Sequence, residues 1–553
     1  MVRTVSDQDA DVSQIDLIRE GYAFDGPSIL LGAAVDDAEV VADAPVRLPL
    51  GSMNRHGLVA GATGTGKTVT LQVLAEQLSA AGVPVFLADV KGDLTGMATP
   101  AEGGGAIAER MAGIGQGWEG AAYPVELLNL GGHGPGSPVR ASITSFGPTL
   151  LTKVLRLNKT QESSLSLIFY WADQQGLALL DLKDLQSVIQ HLISEEGKED
   201  LKEVGGLARS TAGVILRELT NLAASGGEDF FGEPEFETDD LLRITADGKG
   251  VISLLELPGV QDKPVLFSTF LMWLLAELFP ALPEVGNPDQ PTLVFFFDEA
   301  HLLFKDASTA FLESIEQAVR LIRSKGVGVF FVTQAPTDVP SSVLGQLGNR
   351  VQHALRAHTP NDAKALRATV STYPTSEYDL GEVLTSLGTG EAVVTVLSEQ
   401  GAPTPVARTM LRAPQGQIGP SSEQALEELV SASPLPGKYA EAIDRESAHE
   451  LLRDRMEQAA LAAEAEAFAA EAEEERLAAE KEAEKERAAA AKAMEKELAA
   501  EQKEAERRAA AEEKARQQQR SALNKGLQSA LRSAGTVIGR EITRSIFGTG
   551  RRR

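Results

Sequence analysis

Residues 57–68 read GLVAGATGTGKT, and this stretch decides the fold. A short apolar run leads into GATGTGKT, which matches the pattern G-x-x-x-x-G-K-[ST], and a helical pattern follows as far as Gly82. Glycines in such a loop let backbone N–H groups point at a β-phosphate, and the N-terminus of the following helix adds partial positive charge. The sequence therefore predicts an ATP-binding loop formed by Gly61, Ala62, Thr63, Gly64, Thr65, Gly66, Lys67 and Thr68.

Two side chains of this loop have predicted roles beyond binding. Lys67 is expected to reach the β- and γ-phosphates and so to act in catalysis, whereas the Thr68 hydroxyl is expected to bind Mg²⁺. The pattern thus predicts ATP and Mg²⁺ as cofactors. A glycine-rich turn without a ligand is the alternative, but the strand before the loop and the helix after it favour the nucleotide site.

A second motif, LVFFFDEAH at residues 293–301, places two carboxylates directly after an apolar strand. At the carboxyl edge of a sheet, Asp298 could hold Mg²⁺ through water, and Glu299 could polarise the attacking water. Acids that merely begin a helix are the alternative. The presence of the phosphate-binding loop in the same chain favours a catalytic pair.

A third apolar run, VGVFFVTQ at residues 327–334, ends in a polar amide. Gln334 is predicted to sense the γ-phosphate or to orient the attacking water, which makes it a candidate catalytic residue. The alternative is a turn residue that caps the next segment.

Continuous apolar strands separated by helical patterns predict an α/β protein with a mostly parallel sheet. Residues 264–282 form the longest apolar run, which we interpret as a helix buried against the sheet and not as a membrane span. The predicted organisation is a short β-rich segment (1–50), the first part of an ATPase core (51–140), an all-α insertion (141–240), the second part of the core (241–412), a linker (413–447), a long Ala/Glu/Lys-rich helix (448–520) and a basic amphipathic tail (521–553).

The net charge of −27, from 52 basic and 79 acidic residues, means that the average surface repels nucleic acid. Any DNA contact must therefore be a local basic surface or channel. The chain has no cysteine, which excludes disulfides, thiolate catalysis and cysteine metal sites. Its polar start lacks the apolar core of a signal peptide, so a cytoplasmic protein without a transmembrane segment is expected.

The tail at residues 521–553 has seven basic residues and one acidic residue, with apolar residues between them. Such a tail could lie on anionic lipid, bind nucleic acid, or pack on its own assembly. The sequence leaves these three alternatives open.

The order of the motifs carries a family resemblance. GATGTGKT, DVKGD, FFFDEAH, RSKGVGVFFVTQAP and NRVQHALRAHTPNDAKAL together resemble the HerA-like branch of the HerA–FtsK P-loop ATPases, in particular a bacterial subfamily with a helical C-terminal tail. The resemblance implies a RecA-like core, a homo-hexameric ring, ATP hydrolysis between subunits, and movement along double-stranded DNA. It also implies an arginine that acts on the neighbouring subunit's nucleotide; Arg323 is our prediction, with Arg350 and Arg356 as rivals.

Three functions are compatible with these patterns. The first is an ATPase (ATP and water to ADP and phosphate) that acts as a DNA translocase or helicase-like motor, with Lys91 as one candidate for substrate contact. The second is an ATPase motor or switch that acts on protein or at a membrane surface. The third is a nucleotide-binding scaffold without turnover, against which the complete set of Lys67, Thr68, Asp298 and Glu299 argues.

Overall fold

The computed structural model describes residues 13–195, 197–201, 205–258, 263–304 and 309–529, with the backbone alone at 264, 310 and 523–529. One compact unit ends at Met456 and a second begins at Glu457. Most of the basic tail predicted from residue 521, namely residues 530–553, lies outside the described residues.

The first unit is built on one large sheet. Its strands are β1 (Ser28–Asp36), β2 (Glu39–Pro49), β3 (Gly57–Ala60), β4 (Val85–Asp89), β5 (Val125–Leu130), β6 (Ser137–Val139), β7 (Ile252–Glu256), β8 (Leu293–Phe297), β9 (Val327–Thr333), β10 (Asn349–Gln352), β11 (Glu391–Thr395) and β12 (Ala407–Leu411). Their order across the sheet is β2-β1-β12-β11-β10-β3-β9-β8-β4-β7-β5-β6. All neighbours from β10 to β6 are parallel, and those from β2 to β10 are antiparallel.

Helices cover both faces of this sheet and fill the segment between β6 and β7, and the last helix continues into the second unit. They are α1 (Gln14–Gly21), α2 (Lys67–Ala80), α3 (Gly105–Gly113), α4 (Ile143–Val154), α5 (Lys159–Gln174), α6 (Leu182–Leu192), α7 (Gly197–Asp200), α8 (Arg209–Leu222), α9 (Glu228–Phe230), α10 (Pro264–Ala281), α11 (His301–Phe304), α12 (Thr309–Ile322), α13 (Ser341–Leu344), α14 (Pro360–Val370), α15 (Leu380–Ser386), α16 (Glu423–Ala432), α17 (Pro436–Tyr439) and α18 (Ala448–Ser529). Short 3-10 helices lie at Leu50–Arg55, Thr95–Ala98, Thr238–Leu242, Arg323–Lys325 and Pro336–Asp338.

The parallel half of the sheet confirms the predicted RecA-like core. Every residue of β8 and β9 is buried, as expected for strands that are covered by helices on both faces. Strand β9 lies between β3, which leads into the phosphate loop, and β8, which leads into the acidic pair. Because all three strands are parallel, their carboxyl ends meet at one edge, and the candidate site forms there.

The apolar run at 264–282 forms the buried helix α10. Trp273, in its middle, is 1% exposed, and the ring of Phe270 lies 6.1 Å from that of Phe86 on β4. The prediction of a helix packed on the sheet is therefore confirmed. Among the described residues, no helix combines the length and the apolar character that crossing a membrane requires.

The N-terminal segment, which we predicted as short and β-rich, forms regular elements of the first unit. It contains helix α1, capped by Ser13, and two strands of nine and eleven residues. These strands extend the sheet because β1 pairs with β12, whose partner residues are almost 380 positions away in sequence. Local patterns of Gly, Pro and Asp concealed a pairing that only the tertiary fold creates.

Residues 413–447, predicted as a linker, are a packed part of the first unit. They contain α16 and α17, and Tyr439 is fully buried with its hydroxyl 2.6 Å from Asp240 Oδ2. The backbone N–H groups of Gln415 and Gly416 donate to the carboxylate of Glu76 on α2. Polar composition indicated a loop, but here the polar groups satisfy a buried carboxylate.

Strand β10 is short, beginning at Asn349 and ending at Gln352. The following residues leave the sheet because they pass beneath the phosphate loop: His353 N donates to Ala60 O, and Ala62 N donates to Ala354 O. The long helix is confirmed as α18, and it continues beyond the predicted residue 520 to Ser529.

Candidate functional site

The loop at residues 61–66 connects β3 to α2 and has the conformation of an anion-binding turn. Gly64 and Gly66 have φ values of 81° and 109°, in the left-handed region that favours glycine. The Thr65 hydroxyl donates to Ala62 O at 2.7 Å and closes the turn. The loop thus points towards the N-terminus of a fourteen-residue helix, where a phosphate would meet free backbone N–H groups.

Lys67, the first residue of α2, lies over this loop. Its Nζ donates to Gly61 O at 2.7 Å and to Ala62 O at 3.2 Å, and the residue is 6% exposed. Burial lowers the pKa of the Lys67 ammonium, although the nearby carboxylate of Glu299 opposes the shift. An anion in the loop would offer this ammonium a better partner than two carbonyl oxygens.

Asp298 follows β8 and is 1% exposed. Its Oδ1 accepts from the backbone N–H of Glu299 at 2.9 Å, while its Oδ2 has no hydrogen-bond partner among the described residues. Burial raises the pKa of Asp298 to about 6, with the ammonium of Lys91 opposing. A buried carboxylate oxygen that accepts no hydrogen bond fits a place beside Mg²⁺ or its bound water, and Thr68, at the start of α2, is half-buried.

Glu299 is 8% exposed and has a φ of 48°, an uncommon conformation for a residue with a side chain. Its Oε1 accepts from Lys91 Nζ at 2.6 Å, and its Oε2 lies 3.1 Å from His301 Nδ1 without hydrogen-bond geometry. Burial would raise the pKa of Glu299, but Lys91 and the other nearby cations outweigh it, so the pKa lies below its usual value. The carboxylate is therefore ionised at neutral pH.

Gln334 is exposed immediately after β9, beside the phosphate loop. The preceding residue, Thr333, accepts from Gly61 N at 3.2 Å through its backbone oxygen. Its hydroxyl donates to Asp338, whose carboxylate also accepts from Ala335 N, so the turn after Gln334 is fixed. The position suits the predicted contact with a γ-phosphate or water, and that role stays a prediction.

The three candidate arginines lie in different places. Arg323 is exposed and lies just before the amino end of β9, whereas the phosphate loop lies at the carboxyl end of that strand. The length of the seven-residue strand separates them by about 20 Å within one chain. Arg350, on β10, donates to Thr372. Arg356 is exposed and donates to Thr63 O at 3.3 Å. Only Arg356 is therefore next to the loop of its own chain, and Arg323 could act on a nucleotide only from a neighbouring subunit.

His353 is a supporting residue that the sequence analysis missed. It is fully buried under the loop, with Nε2 2.9 Å from Thr70 Oγ1. Its backbone approaches so closely that a Cβ at Gly61 would lie 2.4 Å from His353 Cβ. A second support is Gly390 N, which donates to Thr65 O. Both come from segments about 300 residues away, so no pattern near the loop indicated that they would contact it.

Burial lowers the pKa of His353 from 6.5 to about 4, with the Lys67 charge adding to the effect. Between these values the unfolded chain binds a proton that the folded chain does not, so stability is lost as the pH falls through this window. A histidine with this pKa shift lowers the free energy of unfolding by about 2 kcal/mol when the pH falls from 7 to 5. The His353→Gln variant should therefore lose about 2 kcal/mol less stability than the wild type over that range in urea unfolding.

The exposed His358 supplies a matched control, because His358→Gln removes an imidazole that is not buried. Equal losses in the wild type and in His353→Gln would contradict the buried, neutral state of His353.

A family model described as "Helicase HerA-like C-terminal" matches residues 36–553. The chain is 23% identical over 376 residues to the DNA double-strand break repair helicase HerA of Sulfurisphaera tokodaii. The aligned region covers 64% of this chain and 64% of that protein. It is 21% identical over 379 residues to the protein of the same description from Saccharolobus solfataricus, covering 68% of this chain and 67% of that one. The match thus spans less than two thirds of the Sulfurisphaera tokodaii relative.

Solved structures resemble the chain more distantly. The plasmid coupling protein TrwB in complex with ADP and Mg²⁺ is 16% identical, with a TM-score of 0.47 over 71% of this chain and 96% of that one. VirB4 of Thermoanaerobacter pseudethanolicus is 14% identical, with a TM-score of 0.43 over 73% of this chain and 99% of that one.

Proposed function

The chain belongs to the family of HerA-like helicase C-terminal proteins, and from this membership we propose that it is an ATP-hydrolysing ring motor that moves along double-stranded DNA. One observation carries the ATPase part of the proposal. Lys67, Asp298 and Glu299 come together at one sheet edge, where one buried oxygen of Asp298 accepts no hydrogen bond and has only the Lys91 ammonium, 3.8 Å away, as a charged neighbour. Burying an ammonium and two carboxyl groups together destabilises a folded protein unless bound ions compensate for the lost hydration. Such a cluster of buried charged groups is therefore typical of a site that binds a cation and an anion.

In the proposed reaction, the loop N–H groups and Lys67 bind the phosphates and stabilise charge on the transferred phosphoryl group. Thr68 and Asp298 would hold Mg²⁺, which would neutralise developing charge on the phosphate oxygens. Glu299 would accept a hydrogen bond from the attacking water and polarise it. Gln334 would fix the direction from which that water approaches.

The DNA part of the proposal is tested by steady-state ATP hydrolysis with and without long double-stranded DNA, over a salt series from low ionic strength. We expect DNA to raise turnover severalfold at low salt and progressively less as salt rises, because phosphate contacts weaken steeply with salt. Turnover that DNA leaves unchanged at every salt concentration would contradict a DNA motor while leaving the ATPase intact.

A second candidate function is an ATPase that acts on protein or at a membrane surface. The observation in its favour is the net charge of −27, which opposes DNA binding over most of the surface. Its test is co-sedimentation of the full chain with vesicles that contain anionic lipid, compared with neutral vesicles. Turnover raised by anionic vesicles and not by DNA would favour this candidate.

The proposed ring, a homo-hexamer with Arg323 acting in trans, makes a prediction about mixed assemblies. If Arg323 serves the neighbouring subunit, Arg323→Ala and Lys67→Ala subunits assembled together restore some complete sites, and the mixture hydrolyses ATP faster than either variant alone. The matched mixture of Arg356→Ala with Lys67→Ala should show no recovery, because Arg356 lies beside its own loop. Recovery confined to the Arg356 mixture would reassign the trans role to Arg356.

A further inference from the structure

Lys91, which we predicted as a candidate for substrate contact, lies instead on the acidic pair. Its Nζ is 2.6 Å from Glu299 Oε1 and 3.8 Å from Asp298 Oδ2. The contact follows from the sheet, since β4 and β8 are parallel neighbours and Ala88 is level with Phe297. Residues just beyond the two strands therefore face each other at the carboxyl edge.

The backbone on the lysine side is held by buried hydrogen bonds. The Asp89 carboxylate, which is fully buried, accepts from the backbone N–H groups of Lys91, Gly92 and Leu94 at 3.0, 2.8 and 2.9 Å. Gly92 has a φ of 73°, which allows the tight turn. The position of Lys91 is therefore set by the fold, unlike that of an ordinary surface lysine.

The other side of the contact is fixed as well. Asp298 Oδ1 holds the backbone N–H of Glu299, whose φ of 48° is maintained against its conformational cost. The Glu299 side chain is 10% exposed and the Lys91 side chain 39% exposed, so water screens this pair only in part. The pair is consequently a defined state of the site.

The ion pair between Lys91 and Glu299 opposes the proposed activation of water by Glu299. A carboxylate that already accepts from an ammonium has less negative charge with which to polarise water. The same ammonium also lies beside the carboxylate oxygen that would face Mg²⁺, and two cations on one pair of acids repel each other.

Resting on the proposed function, we propose that Lys91 is a brake: its ammonium holds Glu299 and Asp298 in the resting site and must leave them before ATP is hydrolysed. Lys91 is a positioning residue, since it acts through Glu299. Cation binding at Asp298 displaces the ammonium, and this displacement couples loading of the site to release of Glu299.

The first test measures ADP binding by calorimetry across a Mg²⁺ series and in EDTA, with the full chain. Lys91→Met, which keeps the length and removes the charge, should lower the Mg²⁺ concentration for half-maximal binding about three- to tenfold. In EDTA its affinity for ADP should not rise, because a positive charge has been removed. Lys91→Arg keeps the charge and should behave as the wild type does.

A matched control is Lys198→Met, since Lys198 is exposed to the same extent and also pairs with a carboxylate, that of Glu195. It should leave the Mg²⁺ dependence unchanged.

The second test is turnover without DNA. Lys91→Met should raise kcat about three- to tenfold while KM for ATP stays within about twofold, a split that a general loss of structure does not produce. Slower turnover or a higher Mg²⁺ requirement would mean that Lys91 supports Glu299 productively, and unchanged values would mean that the pair has no role; either overturns the brake. A wild-type chain that binds no ADP would overturn the proposed function, and the brake with it.

Discussion

Replacing Lys67 with alanine should abolish ATP hydrolysis, with kcat/KM reduced by about 10²- to 10³-fold or more. The ammonium is the charge that lies over the phosphate loop, and its present partners are two backbone oxygens of that loop. A phosphate in the loop would draw the ammonium onto its oxygens, where negative charge increases in the transition state. Alanine leaves that charge without its partner and also weakens nucleotide binding.

The measurement is steady-state phosphate release, with Lys325→Ala as the matched control. Lys325 is another nearly buried lysine whose Nζ donates to a backbone oxygen, that of Leu282, but it lies at the opposite edge of the sheet. Its replacement tests the cost of losing a buried lysine away from the site. Hydrolysis that persists in Lys67→Ala, or that disappears equally in both variants, would contradict the assigned role.

The sequence was most informative where the signal is local. Strands β8 and β9 have the predicted bounds, because a continuous apolar run between turn signals predicts a buried parallel strand. The phosphate loop is equally local, since its glycines, its lysine and the following helix lie within one short segment. The acidic pair could be placed at the same edge by one topological rule, that parallel strands end together.

The remaining features depend on contacts between distant parts of the chain. Gly32 on β1 lies against Met410 and Leu411 so closely that a Cβ would be 2.0 Å from Met410 O, and no pattern near Gly32 indicates this. His353 and the Lys91–Glu299 pair have the same origin. Lysines and histidines after strands are common, and only the strand order determines whether they meet a carboxylate, a phosphate loop or solvent.

One missed residue did have a usable signal. Asp89 ends strand β4, and DVKGD follows the pattern of a carboxylate that precedes a glycine turn. Reading it as a turn cap would have predicted the three backbone hydrogen bonds that it accepts. The sequence still could not have shown that this turn presents Lys91 to Glu299.

Replacing Glu299 with glutamine should lower kcat by about 10²- to 10⁴-fold while nucleotide binding is retained. The substitution keeps the size of the side chain and removes the charge that would polarise water, whereas the loop and Lys67 are untouched. Single-turnover hydrolysis together with calorimetric binding of ATP separates the two effects. We expect the variant to bind ATP at least as tightly as the wild type, because one negative charge near the phosphates has been removed.

Glu256→Gln is the matched control for this experiment, because Glu256 ends the strand next but one to β8 and is also nearly buried. Burial raises the pKa of Glu256 to about 8, so this carboxyl group is mostly protonated at pH 7 and glutamine resembles its resting form. The control should therefore hydrolyse ATP at close to the wild-type rate at pH 7. If Glu299→Gln kept a rate near that of the wild type, the base would have to be sought elsewhere at this edge; if it lost ATP binding too, Glu299 would be a structural support of the loop.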